Sequence, residues 1–173
     1  LIKTFYDPQD FDLGAIASLG SNMKHHEISA SAYANPFSAN PYVNMLDVTV
    51  LSATEIDMNF NVNVLTDSYG KLLGAPGGPP NASAGSKMTI ITVPLLRGRL
   101  PMLKENVTTI ITPGETVDVL VTDYGIAVNP LRQDISEMLK GKGLPLKSME
   151  ELKNIADKLA GISNPVEQSN KIC

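Results

Sequence analysis

Apolar and polar side chains alternate strictly over residues 56–64, where Ile56, Met58, Phe60, Val62 and Val64 are interleaved with Asp57, Asn59, Asn61 and Asn63. Successive side chains of a strand point to opposite faces, so the pattern predicts one strand with a buried face and a polar face. Residues 48–51, 88–93 and 117–121 are short β-branched runs without alternation, which predicts strands buried on both faces. Residues 107–111, closed by Thr112-Pro113-Gly114, predict another strand, and residues 125–128 a further short one. Helices are predicted towards the ends. Around Leu131, Ile135, Met138 and Leu139 the apolar spacing is helical, and Pro130 suits the first helical position because its missing N–H leaves nothing unpaired there. Ser148-Met149-Glu150-Glu151 reads as a capping box ahead of Leu152, Ile155 and Leu159, with Gly161 as the stop. A helix over residues 10–19 would set Phe11, Ile16 and Leu19 on one side despite Gly14. Sheet runs followed by amphipathic helices predict an α/β domain with an open, mostly parallel sheet.

Composition narrows the class. With 43% hydrophobic and 18% charged side chains in 173 residues, the chain has the make-up and size of one globular domain, residues 1–173. No apolar run approaches the roughly 20 residues of a membrane-crossing helix, and residues 1–6 lack a signal-peptide profile. A net charge of -4 without a basic cluster leaves no electrostatic footprint for nucleic acid. Cys173 is the lone cysteine, which excludes an intrachain disulfide and a Cys-based zinc site and fits a cytoplasmic setting. The chain opens on the apolar Leu1 without a methionine, so a piece of a longer polypeptide is expected.

Candidate chemistry centres on a long connection, residues 70–86, rich in Gly, Pro, Ala and Ser. A loop of that length between strands is more often functional than idle. Within it, Gly74-Ala75-Pro76-Gly77-Gly78-Pro79-Pro80 holds adjacent glycines that let backbone N–H groups approach an anion or a developing oxyanion. It is neither a Walker A loop nor a dinucleotide fingerprint, and a plain strand connection fits the same residues. Asn59, Asn61 and Asn63 are poor strand formers, so their amides are expected to serve neighbouring backbone or a ligand. Glu55 could act as nucleophile or base, although an acid at a strand end is usually solvated. Arg97 and Arg99 could clamp a carboxylate or phosphate, with a surface ion pair as the alternative. His25 and His26 would point to opposite strand faces and cannot share one metal ion, so no metal site is expected. With only those two histidines and no Gly-x-Ser-x-Gly elbow, a serine hydrolase is disfavoured. The sequons at Asn81 and Asn106 carry no meaning in a cytoplasmic protein.

Several stretches then join into one pattern: His26-Glu27-Ile28-Ser29-Ala30-Ser31, Tyr33-Ala34-Asn35-Pro36, Glu55-Ile56-Asp57, Asn59-Phe60-Asn61-Val62-Asn63-Val64 and Leu95-Leu96-Arg97-Gly98-Arg99. Thr112-Pro113-Gly114, Val117-Asp118-Val119-Leu120-Val121-Thr122-Asp123 and Gly125-Ile126-Ala127-Val128-Asn129-Pro130 extend it. Together they resemble the C-terminal part of the citrate lyase alpha subunit, a citrate CoA-transferase, from about Asp7 to Gly161.

The resemblance implies a fold of the CoA-transferase and sugar-phosphate isomerase-like type. It also implies an exchange in which citrate and an acetyl-acyl-carrier protein become citryl-acyl-carrier protein and acetate. The thiol belongs to a CoA-derived prosthetic group of the carrier, with a CoA thioester as the alternative substrate and no bound cofactor. The expected partners are the beta and gamma (acyl-carrier) subunits in a cytoplasmic oligomer, with no nucleic acid and no membrane. In relatives that form a glutamyl thioester the position of Glu55 is a glutamine, which removes Glu55 as nucleophile. Direct attack of a citrate carboxylate on the acetyl thioester is expected instead, with Gly77 and Gly78 donating to the oxyanion and Asn61, Asn63, Gly74 and Asn81 holding the substrate. The chain departs from the family where His-x-Asp-Thr is replaced by Pro79-Pro80-Asn81-Ala82 and where it stops at Lys171-Ile172-Cys173. The nucleophile segment of related transferases also lies upstream of everything matched. A general acyl-CoA:carboxylate CoA-transferase, or a non-catalytic acyl-CoA-binding module, is the competing reading.

Overall fold

The computed structural model describes residues 2–9 and 12–161, so Leu1, Asp10, Phe11 and Lys171-Ile172-Cys173 lie outside the described residues. Strand β1 (Phe5–Asp7), helix α1 (Leu13–Ser21) and β2 (His25–Glu27) form a βαβ unit whose two strands pair in parallel. Asp12 caps α1 by accepting from Ala15 N at 2.8 Å, which fixes its start three residues later than the sequence predicts. The expected apolar side does not pack, since α1 buries no residue and Ile16 is exposed. Helix α2 (Ala30–Ala34) is capped by Ser29 and leads into a 3-10 turn at Tyr42–Met45.

The central sheet follows. Strands β3 (Thr49–Ser52), β4 (Glu55–Asp57), β5 (Val62–Asn63), helix α3 (Pro79–Gly85), β6 (Thr89–Thr92), β7 (Leu96–Arg97), β8 (Leu100–Pro101) and β9 (Leu103–Lys104) succeed one another. After them come β10 (Val119–Thr122), β11 (Gly125–Val128), α4 (Gln133–Leu139) and α5 (Met149–Ala160). The largest sheet has the order β11-β10-β6-β3, in which β3, β6 and β10 are parallel and β11 returns antiparallel. The architecture is therefore α/β with an open, mostly parallel sheet, as the strand and helix patterns predict.

Register explains the core. Leu51, Ile91, Leu120 and Ala127 lie opposite one another across four strands and face the apolar cluster that Ile56, Phe60, Val62, Leu103 and Leu152 complete. Helix α5 closes that cluster with Met149, Leu152 and Ala156, while Leu159 is exposed. The capping box at Ser148 is complete, with Glu151 N donating to Ser148 Oγ at 3.1 Å and Ser148 N to Glu151 Oε2 at 2.7 Å. Gly161 ends the helix at φ 83. The opposite sheet face is not buried as expected at β3, where Val50 is 62% exposed.

Four predicted elements take another form. Residues 56–64 are a hairpin, because the chain turns between β4 and β5 and pairs Glu55 with Asn63 and Ile56 with Val62. Residues 107–111 form no strand; only Thr112 bridges Val62. Helix α4 begins at Gln133, and Pro130 sits in a turn made by Asn129 Oδ1, which accepts from Leu131 N at 3.0 Å. The second half of the 70–86 connection is helix α3, with Pro79 and Pro80 in its first turn.

Candidate active site

The glycine segment enters α3 from an exposed, irregular stretch that contains Gly74. Gly77 has φ 60, a left-handed conformation that a side chain disfavours, so glycine is required by the backbone alone. Gly78 has φ -91, which any residue adopts, and a Cβ there would lie 3.2 Å from Tyr33 Cε1, so a side chain at this position requires the Tyr33 ring to give way. Burial raises the Tyr33 phenol above its ordinary value. Pro79 and Pro80 carry no N–H, and among the described residues the N–H groups of Gly77 and Gly78 donate to no protein acceptor. These two amides are thus free donors at the head of a helix whose body is anchored. Asn81 Nδ2 donates to Ala34 O at 3.2 Å, and Ser83 Oγ donates to Thr116 O at 2.7 Å.

Beside this helix lies a cavity of about 280 Å³. Ala34, Pro36, Pro41, Val43 and Ala84 give it apolar walls, and Ser38, Asn44 and Asn81 add polar groups. A shallower concavity at the carboxyl ends of β6 and β10 has Thr92, Thr122 and Asp123 on its rim. Its polar groups are in use, since Thr92 Oγ1 donates to Leu51 O and Asp123 Oδ1 accepts from Leu95 N.

The asparagines are placed differently from expectation. Asn59 is exposed, Asn61 half-buried and Asn63 fully buried, so they share no face. Asp57 Oδ1 accepts from Asn59 N at 2.9 Å and Asn61 N at 3.0 Å, and Asp57 Oδ2 accepts from Asn61 Nδ2 at 3.1 Å and Val107 N at 3.3 Å. Asn61 Oδ1 in turn accepts from Gly114 N at 2.9 Å. Asn63 donates to Thr66 O and Glu55 Oε2 and accepts from Leu65 N and Thr66 N. The Asn63 amide is spent inside the protein with no exposed surface, so that residue builds the scaffold, whereas Asn61 is half-buried and keeps hydrogen-bonding capacity beyond Asp57 and Gly114.

Glu55 corrects a second expectation. It is 4% exposed rather than solvated, and the Lys104 ammonium lies 3.5 Å from its Oε1. Ser68 Oγ also donates to that carboxylate. Nothing in the strand pattern signalled Lys104 or Ser68 as its partners, because both arrive from distant segments. Arg97 is the last residue of β7 and Arg99 lies in the β7–β8 turn; both are exposed, and neither is in an ion pair among the described residues. His25 faces Asp7 at 3.5 Å and His26 stacks with Tyr6. Among the described residues no three metal-ligating side chains cluster, and no helix is long and apolar enough to cross a membrane.

An open α/β sheet with a glycine turn feeding a helix beside a cavity defines an α/β domain with one candidate ligand site at the head of α3. Comparison with known proteins sharpens the class. The family model "Citrate lyase, alpha subunit (CitF)" matches residues 1–173. The citrate lyase alpha chain of Klebsiella pneumoniae is 51% identical over 172 residues, which is 99% of this chain and 34% of that protein. The corresponding chain of Escherichia coli K12 is 49% identical over the same share. In three dimensions the chain matches the alpha subunit of citrate lyase from Streptococcus mutans, solved in complex with citrate, with a TM-score of 0.94 and 45% identity over 99% of this chain and 34% of that one. The chain belongs to the citrate lyase alpha subunit family, and it spans about a third of the length of these relatives.

Proposed function

We propose that this chain supplies the thioester-activating part of a citrate CoA-transferase, which exchanges acetyl for citryl on the CoA-type prosthetic thiol of an acyl-carrier protein. A citrate carboxylate oxygen attacks the acetyl thioester carbonyl, and the resulting oxyanion collapses by expelling the thiolate. This leaves a mixed anhydride of acetate and citrate. The thiolate then attacks the citryl carbonyl of the anhydride, forming the citryl thioester and releasing acetate. Negative charge gathers on a carbonyl oxygen at each attack, so fixed N–H donors are what the protein must provide. The observation that carries the reading is the pair of unspent amides at Gly77 and Gly78 in a chain of this family. Gly74, on the exposed stretch ahead of the pair, and Asn81, three residues beyond Gly78 on α3, are the residues proposed to hold the substrate. The beta and gamma subunits are the proposed partners, in the cytoplasm.

The test is citrate-dependent acyl exchange by the full-length protein carrying Gly78→Val. Valine keeps the N–H but presses on the Tyr33 ring and turns the amide out of place; a lost donor costs about 3 to 4 kcal/mol, so exchange should fall by about two orders of magnitude in protein that still folds. Exchange within a few-fold of wild type removes Gly78 from the mechanism. A full-length protein that prefers acetate or succinate to citrate would instead be a general acyl-CoA:carboxylate transferase.

A further inference from the structure

The cavity under α3 is as informative for what it lacks as for what lines it. None of its walls carries a charged or aromatic side chain. A tricarboxylate needs cationic or multiple N–H partners to leave water, and a phosphate needs the same. A nucleobase is held chiefly by stacking on a flat side chain. The cavity therefore suits neither citrate nor the nucleotide end of a CoA-type cofactor. What it does offer is apolar wall from Pro36, Pro41 and Val43 interrupted by hydrogen-bonding groups with capacity to spare. Among the described residues the Ser38 hydroxyl and the Asn44 amide bond to no protein group, and Asn81 spends only its Nδ2 group, on Ala34 O. Alternating apolar and amide-sized polar features match a neutral chain of methylenes and amides. At about 280 Å³ the volume is just below the range of about 300 Å³ and upwards typical of drug-sized ligands, and it fits such a chain in part or whole.

Its place in the fold ties it to the glycine pair. Two of its lining residues lie on the segments that meet at Gly78: Ala34 follows Tyr33, whose ring abuts Gly78, and Asn81 follows Gly78 by three residues on α3. The cavity and the Gly77 and Gly78 amides therefore share one helix, with the amides at its head and the cavity along its side. We infer that the cavity seats the pantetheine arm of the CoA-type thiol, reading its amides through Ser38, Asn44 and Asn81. The assignment rests on the functional reading above and names the part of the substrate that this site recognises.

Ala84→Phe in the full-length protein tests it, because Ala84 is exposed on α3 and a larger side chain fills the cavity without removing a hydrogen bond. Asn44→Leu on the neighbouring 3-10 turn is the second variant, should the first fold poorly. Pantetheine itself is the binding probe, and acetyl-pantetheine and acetyl-N-acetylcysteamine are the kinetic pair, since the second ends before most of the arm. Pantetheine affinity should fall about tenfold or more in the variant while citrate affinity is retained, the scale of a displaced hydrogen-bonded amide and its contacts. The kcat/KM preference for acetyl-pantetheine over acetyl-N-acetylcysteamine should shrink by a similar factor. Equal pantetheine affinity in wild type and variant, no pantetheine binding to wild type, or an unchanged preference ratio overturns the assignment. Variant-sensitive pantetheine binding in a protein without citrate-dependent exchange keeps the cavity and defeats the functional reading. Exchange with variant-insensitive pantetheine binding does the reverse.

Discussion

Asp57 accepts from Asn59 N, Asn61 N, Asn61 Nδ2 and Val107 N while only 2% exposed, which makes one carboxylate the organiser of the β4–β5 turn and of the segment beyond β9. Phe60 occupies the left-handed region at φ 64 there, a cost that its burial and the bond from Phe60 N to Asp57 O offset. Asp57→Ala leaves the buried Val107 N–H and three part-buried N–H groups of Asn59 and Asn61 without their acceptor, at about 1 to 3 kcal/mol for a buried one, so denaturant unfolding of the full-length protein should show a loss of about 3 kcal/mol. A loss under about 1 kcal/mol would mean that water replaces the carboxylate readily. Gly114 belongs to the same knot. A Cβ at Gly114 would overlap the Asn59 carbonyl oxygen, and both partners are backbone, so no rotamer change relieves the clash. Gly114→Ala should therefore abolish soluble, folded protein; normal yield and an unaltered unfolding midpoint would contradict the observed approach.

At the scale of elements, α5 shows how local chemistry and tertiary burial agree. Its capping box satisfies two N–H groups, and Met149, Leu152 and Ala156 repeat at helical spacing against β8 and β9. Ser148→Ala should cost about 1 kcal/mol in denaturant unfolding. Glu150, in the first turn, has its carboxyl held below the usual carboxylate range by its own backbone N–H and the Ser148 hydroxyl. A lowered folded value means stability present above the unfolded value and lost as pH falls through the folded one. The stability difference between wild type and Glu150→Gln should thus be present at neutral pH and vanish under acid, and a difference that persists at low pH would assign it to packing instead. This helix was fully legible because its signals are local, as were the parallel strands β3, β6 and β10 and the return strand β11. The hairpin at residues 56–64 was not. Ile56, Phe60 and Val62 are all buried, so they imitate one strand face, while Asp57 and the asparagines act through side-chain to backbone bonds that a period-two reading ignores. Asp-x-Asn-x-Asn was itself the available turn signal. At the candidate site the glycine pair was visible in the sequence, but Tyr33 against Gly78, and Lys104 and Ser68 on Glu55, depend on contacts between distant segments.

On the scale of the whole molecule, the apolar residues that the fold leaves uncovered matter most. Leu13 on α1, Met23, Phe37 and Val50 on β3 are strongly exposed, and the β1–β2 pair is a two-stranded parallel sheet whose helix buries nothing. Parallel sheets are stable with both faces covered, and this chain spans about a third of its relatives' length. The same shortfall bears on activity: if the nucleophile-side half of the site is contributed from outside residues 1–173, this span alone should show no citrate-dependent exchange, and turnover at the full-length rate would place the whole site within it. Val50 gives the sharpest test of cover. It sits on the sheet face opposite the apolar cluster, next to Ile90 in the β3–β6 register, and has no described neighbour that shields it. If that face stays open to water in the full-length protein, Val50→Asp is a surface change and should shift stability by less than about 0.5 kcal/mol. If another segment packs on it, the substitution buries an unpaired carboxylate and should cost about 3 kcal/mol or more. The second outcome is expected, because an edge strand that presents valine to solvent beside a partly buried isoleucine continues an apolar face rather than ending it. Denaturant unfolding of the full-length variant decides between them.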